Sequence, residues 1–245
     1  QLTGIDMLGE QTGILPSQDW KRNAYKRADQ QRWYAGETIS LGIGQGYNAF
    51  TMLQLATATA TLANRGIQYP PHLMRAIRES RSSETRTVAQ TTPRDLGLNK
   101  KNLETVIEAM VGVTQDGTSR LSFVGAPYLS AGKTGTAQAV TIGQNEKYDA
   151  KKLAEFERDH SLYIAFAPAA EPEVALAIIV ENAGFGSAHA APIARRVFDY
   201  MLLGLYPSEE DIAAVQKGLA TAPIGKPRLK VDVPLIRTPD PTTLE

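Results

Sequence analysis

Residues 130–138 read Ser-Ala-Gly-Lys-Thr-Gly-Thr-Ala-Gln, and the role given to Lys133 decides how the rest of the chain is read. Three chemistries claim that lysine. Gly132-Lys133-Thr134 is the ending of a P-loop. Ser130 and Lys133 have the S-x-x-K spacing of a serine nucleophile and its activating amine. Lys133-Thr134-Gly135 is a K-T-G triplet, which on a strand beside a site presents an ammonium and hydroxyls to an anionic carboxylate, with glycine leaving room for close approach. A P-loop needs a glycine at position 127, where the chain has Pro127, and Gly125 falls two residues too early for the phosphate cradle. An S-x-x-K pair must lie one helical turn apart for the amine to reach the hydroxyl. Here the following stretch, TGTAQAVTI (134–142), reads as a strand, on which residues three apart point to opposite faces. Only the K-T-G reading fits that context.

Working outward from the triplet, the pattern is mixed. Downstream lies a polar stretch, 141–160, with a short charged helix candidate around Lys151 to Arg158. Two strands follow, Ser161–Ala167 and Glu173–Val180, joined by so short a loop that an antiparallel hairpin is expected. The second is apolar on both faces, so both sides of its sheet should be covered. A last helix starts near Pro192, carries Ile193, Val197, Tyr200 and Met201 on one face, and stops at Gly204. Upstream, Leu103, Val106, Ile107, Met110 and Val113 recur at helical spacing after a capping Asn99, and the segment ends at Gly117. Before that, Thr51 and Gln54 form a T-x-x-Q capping box with Phe50 and Leu55 at the staple positions, opening a helix that runs from Met52 to Arg65 and closes at Gly66. The expected fold class is α/β of the α+β kind, an antiparallel sheet flanked by helices.

Composition narrows the function. The 245 residues carry 26 basic and 26 acidic side chains, a formal net charge of zero that argues against a nucleic-acid binder. There is no cysteine, which removes disulfides and thiolate metal sites. His72, His160 and His189 lack metal-ligand spacing, so no metal and no cofactor is expected. The longest apolar run, Val174–Val180, is far too short to span a bilayer. The opening Gln1-Leu2-Thr3-Gly4 shows neither an initiator methionine nor a signal-peptide pattern, and reads as an internal start.

The first forty residues are turn-rich. Lys21, Arg22, Lys26, Arg27 and Arg32 stand among Trp20, Tyr25, Trp33 and Tyr34, but Asp19 and Asp29 interrupt them, and the stretch reads as a solvated loop with anchoring aromatics. Gly42-Ile43-Gly44-Gln45-Gly46 has G-x-G-x-G spacing rather than the dinucleotide G-x-G-x-x-G, and reads as a closely packed turn. Beyond Tyr206 a weak helical segment gives way to a proline-rich end, with Pro223, Pro227, Pro234, Pro239 and Pro241, which reads as a flexible tail.

Taken together, LTGID (2–6), GILPSQDWK (13–21), WYAGETISLGIGQGY (33–47), QLATATATLANRG (54–66), AGKTGTAQ (131–138), DHSLYIAFAP (159–168) and IIVENAGFG (178–186) resemble, in order, the C-terminal part of the transpeptidase domain of class B penicillin-binding proteins, in particular the penicillin-binding protein 2 group. The resemblance assigns 1–205 to that domain and 206–245 to the tail. It implies a partial serine β-lactamase/transpeptidase-like fold without its N-terminal strands and nucleophile helix, which would leave the 173–180 strand an open edge. The implied function is a periplasmic peptidoglycan D,D-transpeptidase of cell-wall elongation, anchored upstream in the bacterial inner membrane. Its partners would be D-Ala-D-Ala stem peptides, β-lactams and a SEDS-family glycosyltransferase.

By the same resemblance, Lys133, Thr134, Gly135, Thr136 and Gln138 line the substrate site, with the Thr136 backbone N–H as one arm of an oxyanion hole. The family's S-x-x-K and S-x-N or S-x-D elements belong upstream of LTGID. No S-x-N occurs here, and the one S-x-D, Ser17-Gln18-Asp19, is misplaced, so this chain by itself is expected to be inactive. A D,D-carboxypeptidase or β-lactamase, and a non-catalytic interaction module of the elongation machinery, stand as alternatives.

Overall fold

The computed structural model of the chain describes residues 2–79, 85–89, 91–139, 153–219 and 221–233. Three short helices come first: α1 (Gln18–Ala24), α2 (Ala28–Gln31) and α3 (Ala35–Gly42). Helix α4 (Met52–Ala63) leads to strand β1 (Ile67–Gln68), the hairpin β2 (Ala76–Arg78) and β3 (Thr85–Thr87), and β4 (Arg94–Asp95), which returns to pair with β1. Helices α5 (Lys100–Gln115) and α6 (Arg120–Phe123) precede β5 (Ala131–Ala137). After it come β6 (His160–Ala167), β7 (Val174–Val180), α7 (Ala190–Leu203), β8 (Leu205–Tyr206), α8 (Glu209–Gln216) and β9 (Arg228–Leu229).

The central sheet is antiparallel in the order β5-β6-β7, with Thr134 opposite Tyr163 and Tyr163 opposite Ile178. Alternation along β6 splits its side chains between two cores. Tyr163, Ala165 and Ala167 meet Phe123 and α7 residues Ala190, Ala191, Ala194 and Phe198 on one face. Phe166 points the other way, to Ala63 of α4 and Ile107 and Met110 of α5. Both faces of the hairpin are thus covered, as its unbroken apolar pattern requires. The caps form as expected: the Thr51 hydroxyl accepts from Gln54 N at 3.1 Å, Gln54 accepts from Thr51 N at 3.0 Å, and Asn99 accepts from Asn102 N at 3.0 Å. Gly204 ends α7 in the left-handed region at φ 65°.

Two expectations need correction. The basic-aromatic stretch is not a solvated loop but α1–α3 folded around Lys21, which is 3% exposed. Its ammonium donates to Arg32 O at 2.8 Å and to the Glu37 carboxylate, with the Tyr34 and Tyr47 rings 5.1 and 5.5 Å away. Of the helix expected around 151–158, residues 151 and 152 lie outside the described residues, and Glu155–Glu157 make a single 3-10 turn.

Beyond Tyr206 the expected weak helical segment forms as α8, and the described residues that follow it include β9, paired with β8. Helix α8 is tied to α7 by a buried two-pronged pair, the Arg196 guanidinium donating to both oxygens of the fully buried Asp211. The face of α7 bearing Ile193, Val197, Tyr200 and Met201 looks away from the sheet, over a cleft shared with Tyr206, Ile212 and Val215. The sheet-facing side is mostly alanine, which lets the helix approach closely. Residues 234–245 lie outside the described residues.

Candidate functional site

Strand β5 carries the triplet and, among the described residues, pairs on one side only. Two bonds report how its other edge is disposed. The Thr134 carbonyl accepts from Lys133 Nζ at 2.7 Å, and the Thr136 carbonyl accepts from Gln45 Nε2 at 3.5 Å. Gly135, between them, is set against Leu162 of β6: a Cβ built on neighbouring Gly186 would come within 3.1 Å of Gly135 N, 2.7 Å of Gly135 O and 2.2 Å of Leu162 O. In an antiparallel pair, residues alternately turn both main-chain groups to the partner or both away. Gly135 therefore faces β6, and the carbonyl and N–H groups of Thr134 and Thr136 face the open edge. Their side chains share one face of the strand by the same period of two.

The strand is held in place by buried polar bonds. Thr114 Oγ1, at the end of α5, donates to Ser130 O at 2.7 Å. Tyr163 of β6 crosses behind Gly132, its hydroxyl 2.1 Å from where a Cβ would stand, so only glycine fits there. That hydroxyl meets Ser119 Oγ at 2.9 Å, and Ser119 also donates to Val113 O at 3.1 Å. Burial pushes the Tyr163 phenol up to about 12, so it stays protonated at neutral pH. Fixing Ser119 fixes its neighbour Thr118, whose Oγ1 lies 3.1 Å from Thr134 Oγ1 at the exposed end of the site. Thr118 was not among the expected residues, and its only sequence signal is its place in the turn Asp116-Gly117-Thr118 that leads to the triplet.

Each claim on Lys133 can now be placed. The residues after it form a strand, which is wrong for a P-loop. Ser130 is 2% exposed and its hydroxyl has no partner among the described residues, whereas Lys133 is exposed and its amine is turned to Thr134. The structure does not bring Ser130 and Lys133 together as a nucleophile pair. Lys133, Thr134, Gly135 and Thr136 are brought together along one edge, while Gln138 lies just beyond β5, exposed. Gly135 has a structural reason to be small, since a Cβ there would come 3.1 Å from Leu162 Cβ.

His160 stands opposite Ala137 at the end of β5. Its Nδ1 accepts from Asn182 N at 3.0 Å, so the neutral ring carries its proton on Nε2. Residues 140–152, which follow the strand, lie outside the described residues. Among the described residues no group of three or more His, Asp and Glu side chains is arranged to hold a metal, and no helix is long and apolar enough to cross a membrane.

Comparison with known proteins agrees with this geometry. The model of the penicillin-binding protein transpeptidase domain matches residues 1–199. Peptidoglycan D,D-transpeptidase MrdA of Haemophilus influenzae is 39% identical over 214 residues, covering 85% of this chain and 32% of the relative. Among solved structures, Pseudomonas aeruginosa PBP2 in complex with WCK 5153 superposes with a TM-score of 0.64 at 38% identity, over 81% of this chain and 40% of that one. Helicobacter pylori PBP2 in its complex with MreC gives 0.64 at 29% identity, over 83% and 34%. The chain spans about a third of the length of the curated relatives it matches. With the K-T-G strand on an open sheet edge and both faces of that sheet covered by helices, the chain belongs to the penicillin-binding protein transpeptidase domain family.

Proposed function

We propose that this chain is the substrate-holding part of a peptidoglycan D,D-transpeptidase. The open edge of β5 carries the reading: it lines up the outward-facing main-chain groups of Thr134 and Thr136, which no strand engages among the described residues, with the Lys133 ammonium and the Thr118–Thr134 hydroxyl pair. A stem peptide ending in D-Ala-D-Ala offers what such an edge accepts, an extended backbone with a terminal carboxylate. Lys133 and the threonine hydroxyls hold that carboxylate, and the Thr136 N–H receives the oxygen of the scissile carbonyl as it becomes an oxyanion. The attacking serine is expected upstream of Gln1. Its oxygen bonds to the penultimate D-alanine carbonyl carbon, the C–N bond to the terminal D-alanine breaks, and the leaving nitrogen takes a proton. An amine of a neighbouring stem then displaces the serine.

On this reading the chain by itself forms no acyl-enzyme, the working protein is held at the periplasmic face of the inner membrane, and its partners are of the MreC and glycosyltransferase kind. The test uses the parent protein with its upstream segment, a penicillin, and the methyl ester of that penicillin. A charge-assisted bond of about 1.5–3 kcal/mol predicts that esterification slows acylation by roughly 10- to 100-fold, and that Lys133→Ala erases most of the difference. An ester that acylates as fast as the free acid would remove Lys133 from the clamp.

A further inference from the structure

The loop Gly42–Gly46 matched no nucleotide fingerprint, and the clamp as described so far makes no use of it. We propose that Gln45, presented by this loop, is a positioning residue for the oxyanion arm of the site, an inference that rests on the transpeptidase reading. Gln45 is held on both sides. Its N–H donates to Ser40 O at 2.9 Å, and its carbonyl accepts from Asn48 Nδ2 at 3.0 Å. Gly44 and Gly46 flank it at φ 78° and 72°, in the left-handed region that lets the chain turn sharply on either side.

The frame behind the loop is the buried lysine cage. Glu37, in the first turn of α3, and Tyr47, just beyond the loop, meet there in a hydrogen bond of 3.1 Å from the Tyr47 hydroxyl. Lys21 donates to the same Glu37 oxygen, and the Tyr34 N–H reaches the other at 2.8 Å. The segment 37–47 is therefore closed at its base, and its tip carries the Gln45 amide to the Thr136 carbonyl, 91 residues away in sequence. Among the described residues no strand pairs with Thr136 on that side, so its carbonyl has no ladder to fix its orientation. The Gln45 bond supplies that restraint from the side opposite β6. At 3.5 Å it is long in the free protein, as hydrogen bonds of active sites are before substrate tightens them. The residue does not touch the reacting carbonyl. It holds the 136–137 peptide, which is joined at the Thr136 Cα to the 135–136 peptide whose N–H does.

The experiment compares wild-type parent protein with Gln45→Met, which keeps the length and loses the donor, and Gln45→Ala. Thermal melting first shows that each variant is folded. Selective labelling with 13C-carbonyl threonine and 15N-alanine isolates the Thr–Ala pairs by NMR, and the Thr136 carbonyl resonance is expected to move upfield in both variants. Penicillin acylation is expected to slow by roughly tenfold in the chemical step, with binding of the intact drug changed by less than about twofold. The 13C-labelled acyl carbonyl band should shift to higher wavenumber, reporting a weaker oxyanion hole. An unmoved Thr136 resonance would show that the bond is absent. A moved resonance with unchanged acylation and an unchanged carbonyl band would show that the bond positions nothing. If the wild type itself is not acylated, the transpeptidase reading falls and the Gln45 role with it. If the wild type is acylated and both variants match it, the Gln45 role falls alone.

Discussion

The two outer edges of the three-stranded sheet are built from the same backbone groups and finished in opposite ways. The β5 edge is dressed in polar side chains: the Lys133 ammonium, the Thr118 and Thr134 hydroxyls, and the Gln45 amide all lie along it. The β7 edge is Val-Ala-Leu-Ala-Ile-Ile-Val, with no strand beside it among the described residues and Ile179 37% exposed. An unpaired edge is a template for whatever strand arrives. On the proposed reading, polar groups that bind a carboxylate limit one edge to a small extended ligand, whereas an apolar edge accepts a strand with a hydrophobic face. Side chains, not hydrogen-bonding capacity, divide the work between the two.

That contrast can be broken in several ways. The largest effect should come from β7. Produced by itself, the 245-residue chain is expected to self-associate, and Ile179→Lys to shift it toward monomer in light scattering, while the upstream segment removes the tendency altogether. A monomeric wild-type chain with a cooperative melt would mean that the edge is not a free template.

Next is the support behind β5. Gly132→Ala drives a methyl into the Tyr163 hydroxyl and should destabilise the parent by about 1–3 kcal/mol, read as a lower denaturant midpoint. Removing the obstruction with Gly132→Ala/Tyr163→Phe should recover part of that loss, and no recovery would contradict the packing account.

Thr118→Val tests the polar edge more finely. One neutral hydrogen bond of about 0.5–1.5 kcal/mol predicts a roughly two- to tenfold slower acylation, with Thr118→Ser near wild type. If serine is as slow as valine, the hydroxyl is not what matters.

The smallest effect concerns the cage behind Gln45. Against the desolvation of burial, hydrogen bonds from Lys21, the Tyr34 N–H and Tyr47 hold the Glu37 carboxyl below its ordinary value of 4.5. A depressed folded value means that its stabilisation is complete above the unfolded carboxyl range and is lost as pH falls through the folded one. Trp20, whose ring lies 5.2 Å from Tyr47, should report an acid-induced loosening of 17–47 that Glu37→Gln flattens. An acid profile unaltered by the substitution would place the transition elsewhere.

What was legible in the sequence was local. The Thr51–Gln54 box, the Asn99 cap, the β6–β7 hairpin and the Gly204 stop are each written within a few residues, and each formed. The misreadings came from partners far apart in the chain. Lys21 looks solvated because Asp19 and Arg22 stand beside it, yet its carboxylate partner is Glu37. The helical segment after Tyr206 was legible, but not that its Asp211 finds Arg196 across the helix pair. The K-T-G strand itself was legible, while Thr118 and Gln45 were not, because nothing near either residue announces a contact with β5.

The central claim is that residues 130–138 form a clamp whose nucleophile lies elsewhere in the protein. Intact mass after incubation with a penicillin tests it directly, on this chain and on one carrying the upstream segment. The account predicts a penicilloyl adduct on the longer chain only. An adduct on the 245-residue chain would mean that Ser130 or another serine within it is reactive, and that the separation of clamp from nucleophile is wrong.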